Sequence, residues 1–536
     1  MKKCIVFFFA LVLILSALTV ATADEQVNTC GDYDYTVKED GTAVIVKYHG
    51  DGKSDITVPG ELDGYTVTAI GKEAFKGSAT AYPIPWDHDD AIAITLPESI
   101  TTIEDKAFWG RKIRSINIPN TVTHIGYGSF VFTSRNVEFR ISSNHPYYAV
   151  IDGSLYSKQN KELLHPYGNA NNARNYEVAM PEGIVSIGDY AFYGYTNNYN
   201  CLLFWDDQIP STLKSIGNYS FYGTSIVVSS RSSIQANKIG EYAFAGTKLS
   251  GEVIIASEII DNHAFYNSYV DSDRDSFVLM EGVEEIGDYA FSRIANVPRS
   301  KVDRYGYFSK KSYSKIHIPE SVEKIGIGCF ENCMLSISFS ESSKLTTIPE
   351  RAFAGVGVGS RYEIKDGNYE VSVSRSSGYY SGVWLPTQSM ITSIGEYAFE
   401  DAHVFNAGGV LANVITIEKN AFLHGELCYT DANGERISSY DIGLSPNCTT
   451  ILEGAFFTLS GAPLLQDGVS IIESKAFRRV RDFYLPSTLT EIASDAFGKD
   501  CTFIVEAGSY AESWAKENAY PYTVNGEEQN LDWLNN

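Results

Sequence analysis

Few stretches of this sequence put reactive side chains at a spacing that chemistry could use. Asp206 and Asp207 beside Trp205 supply the carboxylate and aromatic types of a glycosidase site. Adjacent carboxylates, however, cannot face each other across a sugar. Asp271, Asp273 and Asp275 alternate like the start of a calcium loop, but Ser276 stands where the loop needs glycine and Gly282 where it needs glutamate. Asp87-His88-Asp89-Asp90 has ligand types without a fixed geometry and reads as a solvated acidic loop. Gly355 to Gly359 is a glycine cluster without a preceding dinucleotide-binding strand, so it reads as a turn. No G-x-S-x-G, H-E-x-x-H or Walker pattern occurs. The expectation is a protein that is not an enzyme, with no catalytic residue, no metal site and no cofactor.

Charge narrows the partners. The chain of 536 residues carries a net charge of −24, which repels nucleic acid and anionic membrane. Lys2 and Lys3 precede an apolar run from Ile5 to Val20, and Ala21-Thr22-Ala23 follows as a signal-peptidase pattern. Residues 1–23 are therefore expected to be a signal peptide, cleaved before Asp24. The run is short for a membrane span, so no membrane insertion is expected after cleavage. The mature chain would be secreted, and in contact with the cell surface or its surroundings. Seven cysteines would remain, an odd number and too sparse for a disulfide framework.

What positions any surface residue is a repeat. A block of apolar-x-apolar-Pro, then apolar-x-x-Ile-Gly-x-x-Ala-Phe, recurs along nearly the whole chain, as in INIPNTVTHIGYGSF and IHIPESVEKIGIGCF. Its terminal phenylalanine falls at 75, 108, 130, 192, 221, 244, 265, 291, 330, 353, 399, 422, 456, 477 and 497, with shortest spacings of 20 to 23 residues. In I-x-I the outer residues face one side of a strand and the middle one the other. Proline then ends the ladder. The glycine after isoleucine is read as permitting a tight bend. Ala-Phe pairs a small residue with a ring that can stack on the next coil. One unit cannot bury its own apolar face, so neighbours must, and one continuous core results.

This pattern resembles the BspA-like (treponemal-type) leucine-rich repeat over roughly residues 56–503. The resemblance implies a repeat solenoid with a parallel sheet on its concave side, and a surface or secreted protein that binds host or neighbouring-cell macromolecules. The family often has cysteine three residues after the phenylalanine; here only Cys333 fits, and Cys329 takes an alanine position in the core.

The expected organisation is a hairpin cap over 24–55, about fifteen repeats over 56–503, a cap over 504–524 and a flexible acidic tail over 525–536. In the cap, Ser509 would be the helix N-cap with Glu512 as its capping-box partner. The segment around Asp152-Gly153 reads as an inserted hairpin.

Two sets of candidate binding residues follow. The middle residues of I-x-I-P point away from the core: Thr57, Thr95, Asn117, His317 and Tyr484. The insertions concentrate aromatic and arginine side chains, of the kinds enriched at binding hot spots. They include Tyr305, Tyr307, Tyr379, Tyr380 and Trp384, with Arg304, Arg361 and Arg375 nearby. The expected partner is an extracellular protein. The alternative is a carbohydrate-binding or carbohydrate-processing surface protein, with the tyrosines and Trp86, Trp205 and Trp384 as sugar platforms.

Overall fold

The computed structural model describes residues 26–52, 54–78, 91–133, 137–167, 175–176, 180–195, 201–204, 209–228, 233–250, 253–271, 277–296, 315–356, 360–365, 368–373, 382–405, 407–428, 443–457, 463–478 and 480–525. Residues 1–25 and most of the C-terminal segment lie outside these. The tract read as one solenoid falls into two compact units, one up to Tyr147 and one from Tyr148 onward.

In the first unit, Asn28–Cys30, Tyr33–Val37 and Ala43–Tyr48 form an antiparallel meander. From Ala43–Tyr48 onward the neighbours Tyr65–Ile70, Thr102–Ile103 and His124–Ile125 pair in parallel. A second parallel sheet joins Ile56–Thr57, Ile92–Thr95, Ile113–Ile118 and Glu138–Ile141. Phe75, Phe108 and Phe130 fill the core, with ring centroids 5.3 and 5.7 Å apart.

The second unit repeats this plan. Tyr148–Ile151, Ser154–Ser157 and Glu162–His165 form another antiparallel meander. Asp152 (φ 49°) and Gly153 (φ 81°) make its first turn, as a type I′ hairpin requires. Two-residue strands then continue the sheet in parallel from Ser186–Ile187 to Lys324–Ile325. The segment read as an insertion thus starts a solenoid. Leu155, Tyr156 and Leu163 are buried, so the meander covers the apolar face that the first coil would otherwise expose.

Within this unit the repeat phenylalanines stack without a break from Phe192 to Phe497, with centroids 4.7 to 5.5 Å apart and planes within 15°. Phe497 ends against Trp514 of the helix Tyr510–Glu517. Ser509 caps that helix by accepting from the Glu512 amide at 3.1 Å, while the Glu512 carboxylate accepts from the Gly508 amide at 2.7 Å.

The glycine after isoleucine serves another purpose than the expected bend. Gly126 and Gly326 are not in the left-handed region, but a Cβ there would lie 2.3 and 2.4 Å from the amide nitrogens of Asp105 and Asp288 on the preceding coil. Glycine is needed for close approach of two backbones. The left-handed residues stand two before and two after the phenylalanine: Tyr219 (φ 55°) and Gly223 (φ 64°) flank Phe221, and His263 (φ 56°) and Asn267 (φ 53°) flank Phe265. Hydrogen bonds between coils hold this strained turn. Tyr219, Phe221 and Gly223 donate to the carbonyls of Glu241, Ala243 and Ala245 at 2.7 to 2.9 Å. Three residues after the phenylalanine, buried Thr224, Thr247 and Ser268 donate to the carbonyls of Phe192, Phe221 and Phe244. Buried Cys333 occupies the same position.

Candidate functional site

The strand residues predicted to face outward lie in three sheets. In the first unit Thr57 pairs with Thr95, and Asn117 with Arg140, in one register; Asn117 follows Ile116, the partner of Ile94. Thr57 and Thr95 are exposed. Asn117 is committed to the fold, since its Oδ1 accepts from the Leu96 amide at 2.7 Å and its Nδ2 donates to the Leu96 carbonyl at 2.9 Å. Tyr484 belongs to the last sheet, where its hydroxyl donates to Glu506 at 2.7 Å. Burial first, and then that hydrogen bond, push its phenol up to about 12.

His317 and Trp384 come together. They flank Ser338 in a single register across Lys315–Ile318, Ser336–Phe339 and Val383–Trp384. His317 Nδ1 lies 3.1 Å from Ser338 Oγ. Trp384 stacks on Phe405 of the next strand, with centroids 4.2 Å apart and planes 6° from parallel. Ser360–Lys365 and Asn368–Val373 pair with each other as a hairpin that, among the described residues, joins no other sheet. Of Arg361 and Asp271 only the backbone is described. Trp86, Asp87 to Asp90, Trp205, Asp206, Asp207, Asp273, Asp275, Arg304, Tyr305, Tyr307, Gly357 to Gly359, Arg375, Tyr379 and Tyr380 lie outside the described residues.

Reading the strands missed a surface on the turns. The left-handed residue before each phenylalanine is Tyr190, Tyr219, Tyr242, His263 and Tyr289 on five successive coils. Their rings stack in an outer row at 5.1, 4.9, 4.5 and 5.2 Å, the largest interplanar angle being 23°. The spacing is that of hydrogen-bonded coils. A second row follows each phenylalanine, in which Tyr193 stacks on Tyr222 at 5.0 Å and Tyr266 meets His263 edge-on at 5.4 Å. All eight rings are half-buried. Burial raises the phenols of Tyr193, Tyr242 and Tyr289, takes that of Tyr219 to about 12, and lowers His263. These four phenols are neutral hydroxyls at physiological pH. The signal was legible as D-Y-A-F, N-Y-S-F, E-Y-A-F, N-H-A-F and D-Y-A-F in consecutive copies. It appears only when the repeats are aligned on their phenylalanines.

The outer row ends on Gly328, where a Cβ would come within 2.3 Å of the Tyr289 ring. Beside it lies a cavity of about 220 Å³ lined by Tyr242, His263, Tyr266, Tyr289, Ser292, Arg293 and Glu331. Arg293 sits over the Tyr266 ring at 5.7 Å. Glu331 is held by Arg351 at 2.6 Å, and Arg351 also reaches Glu400 at 3.1 Å. These pairings, led by the hydrogen bond to Glu331, hold the Arg351 guanidinium firmly charged.

Among the described residues no helix is long and apolar enough to cross a membrane. Nothing matches the chain among curated proteins. Among solved structures, a leucine rich cell surface protein from Faecalibacterium prausnitzii aligns over 92% of this chain and 98% of its own, at 16% identity and a TM-score of 0.33. A leucine-rich repeat protein from Bacteroides ovatus aligns over 60% and 95%, at 19% identity and a TM-score of 0.23. The T. pallidum leucine rich repeat protein aligns over 57% and 89%, at 15% identity and a TM-score of 0.20. The model of the BspA type leucine rich repeat region matches residues 61–157, 169–298, 300–428 and 432–505, and its repeat is the one whose phenylalanines stack in both cores, so the chain belongs to the BspA-type leucine-rich repeat family.

Proposed function

We propose that this chain is exported by its N-terminal signal and works outside the cell as a recognition protein for a macromolecular ligand, a protein on host or neighbouring cells. The observation that carries the reading is the contrast between inside and outside. Inward positions repeat the same isoleucines and phenylalanines coil after coil. Outward positions change from coil to coil, as in the row His317, Ser338 and Trp384. Stacking constrains the first set, and solvent leaves the second free to follow a partner. The two self-paired strands Ser360–Lys365 and Asn368–Val373 add a segment that, among the described residues, has no strand partner in the coils.

The test immobilises the mature chain, residues 24–536, against a panel of extracellular-matrix and cell-surface proteins. Capture of a member of the panel by wild type is expected. Deleting residues 361–380 is expected to abolish that capture while circular dichroism and melting stay nearly unchanged. Undiminished capture by the folded deletion mutant would move the contact away from this hairpin. Failure to capture any member would count against a protein ligand.

A further inference from the structure

The double row of turn aromatics is independent of the hairpin and of the strand faces, and its geometry restricts what can lie on it. Its rings cover one another's faces, with centroids 4.5 to 5.2 Å apart, so a ligand meets ring edges coil by coil and a hydroxyl on every coil of the row except that of His263. Among the described residues, the hydroxyls of Tyr219, Tyr222, Tyr242, Tyr266 and Tyr289 hydrogen-bond to no protein group, and none is sealed from solvent. Each can donate one hydrogen bond and accept others.

The second row is uneven. Ala245 follows Tyr222, and buried Ser292 follows Tyr266; at Ser292 a notch opens beside the tyrosine. The notch at Ser292 is the cavity of about 220 Å³, small for a drug-sized ligand but sized for a single ring. Among the described residues no carboxylate pairs with Arg293 there, and Glu331 supplies acceptors held in place by Arg351.

We propose that this surface binds a linear, neutral, equatorially linked polysaccharide laid along the solenoid axis, one pyranose residue per coil, with one sugar ring in the notch at Ser292. The residue length of such a chain matches the coil spacing. An extended peptide does not match, since it advances about 3.3 Å per residue. Carboxylate, guanidinium and phenol groups side by side suit sugar hydroxyls, which both donate and accept. A polyanion is disfavoured, because Glu241, Asp288 and Glu331 flank the row and the whole chain is strongly acidic. This inference goes beyond the protein-ligand reading and does not depend on it.

Isothermal titration calorimetry of the mature chain with β-1,4-linked gluco-oligosaccharides of two to six residues tests it. Affinity is expected to climb with length until the row is filled, whereas α-1,4-linked oligosaccharides, whose residues curve away, should not bind. Changing Tyr219, Tyr242 and Tyr289 together to phenylalanine keeps the stacks and removes the hydroxyls; binding should weaken at least about tenfold. Ser292→Tyr fills the notch with a side chain that Tyr193, Tyr222 and Tyr266 already place at the same repeat position. It should remove the gain contributed by the sugar in the notch. Absence of binding to folded wild type, affinity independent of length, or unchanged affinity in both variants would overturn the proposal. The 361–380 deletion should leave these titrations unaltered, which separates this site from the protein-binding one.

Discussion

The imidazole of His263 lies 4.5 Å from the ring of Tyr242 and 9° from parallel, the single histidine in a stack of tyrosines. Burial lowers its pKa, against a smaller opposing pull from Glu241 and Asp288. His165, in the second unit's meander, is buried and pushed down to about 3 by the same cause. Both imidazoles are favoured neutral in the fold and titrate near 6.5 once unfolded. The unfolded chain therefore binds more protons in this window. Stability is fully present above about 6.5 and falls as pH drops from there toward the folded values. At pH 5 the His165 contribution amounts to roughly 2 kcal/mol. Melting of His165→Phe against wild type at pH 7.5 and pH 5 should show a smaller acid loss in the variant. An equal loss in both would show that His165 carries its proton in the fold.

Phe330 occupies the middle of the long ladder, 5.5 Å from both Phe291 and Phe353. Phe330→Ala should cost about 3–5 kcal/mol. Coils contact mainly their neighbours, so the loosening should stay local. Hydrogen exchange should speed up around residues 286–356 and remain unchanged in the first unit. Uniform loss of protection would contradict nearest-neighbour stacking.

Gly326→Ala should destabilise by about 1–3 kcal/mol, because its Cβ would meet the backbone of Asp288 at 2.4 Å. Gly183→Ala is the informative contrast. Gly183 has φ 95° and open space around it, so only backbone strain is added. Thermal melting of the two separates steric approach from conformational freedom. A Gly326→Ala protein as stable as wild type would refute the close-approach role.

Asn117 and Thr95 occupy the same position of the repeat, and the structure separates them. Asn117→Ala removes both side-chain bonds to the Leu96 backbone and should cost about 1–3 kcal/mol. Thr95→Ala, at an exposed strand position, should stay within about 0.5 kcal/mol. Denaturant unfolding of the two variants measures the difference. Equal costs would deny Asn117 its clamp.

The sequence by itself determined the solenoid and its core. Isoleucines at alternate strand positions and a phenylalanine every twenty-odd residues can be buried only by stacking, so the sequence predicts one row from Phe75 to Phe497; the structure divides it between two units, with an unbroken stack from Phe192 onward. Tertiary structure decided what local pattern leaves open. The meander at 148–165 resembles an inserted hairpin in sequence; that it starts a second unit depends on pairing Glu162–His165 with Ser186–Ile187. Bend and close approach both call for glycine, and only the neighbouring coil at Gly326 tells them apart. Tyr219, Tyr242 and His263 are separated in sequence by a full coil each. They become one surface because hydrogen bonds between turns bring every left-handed residue into register with the next.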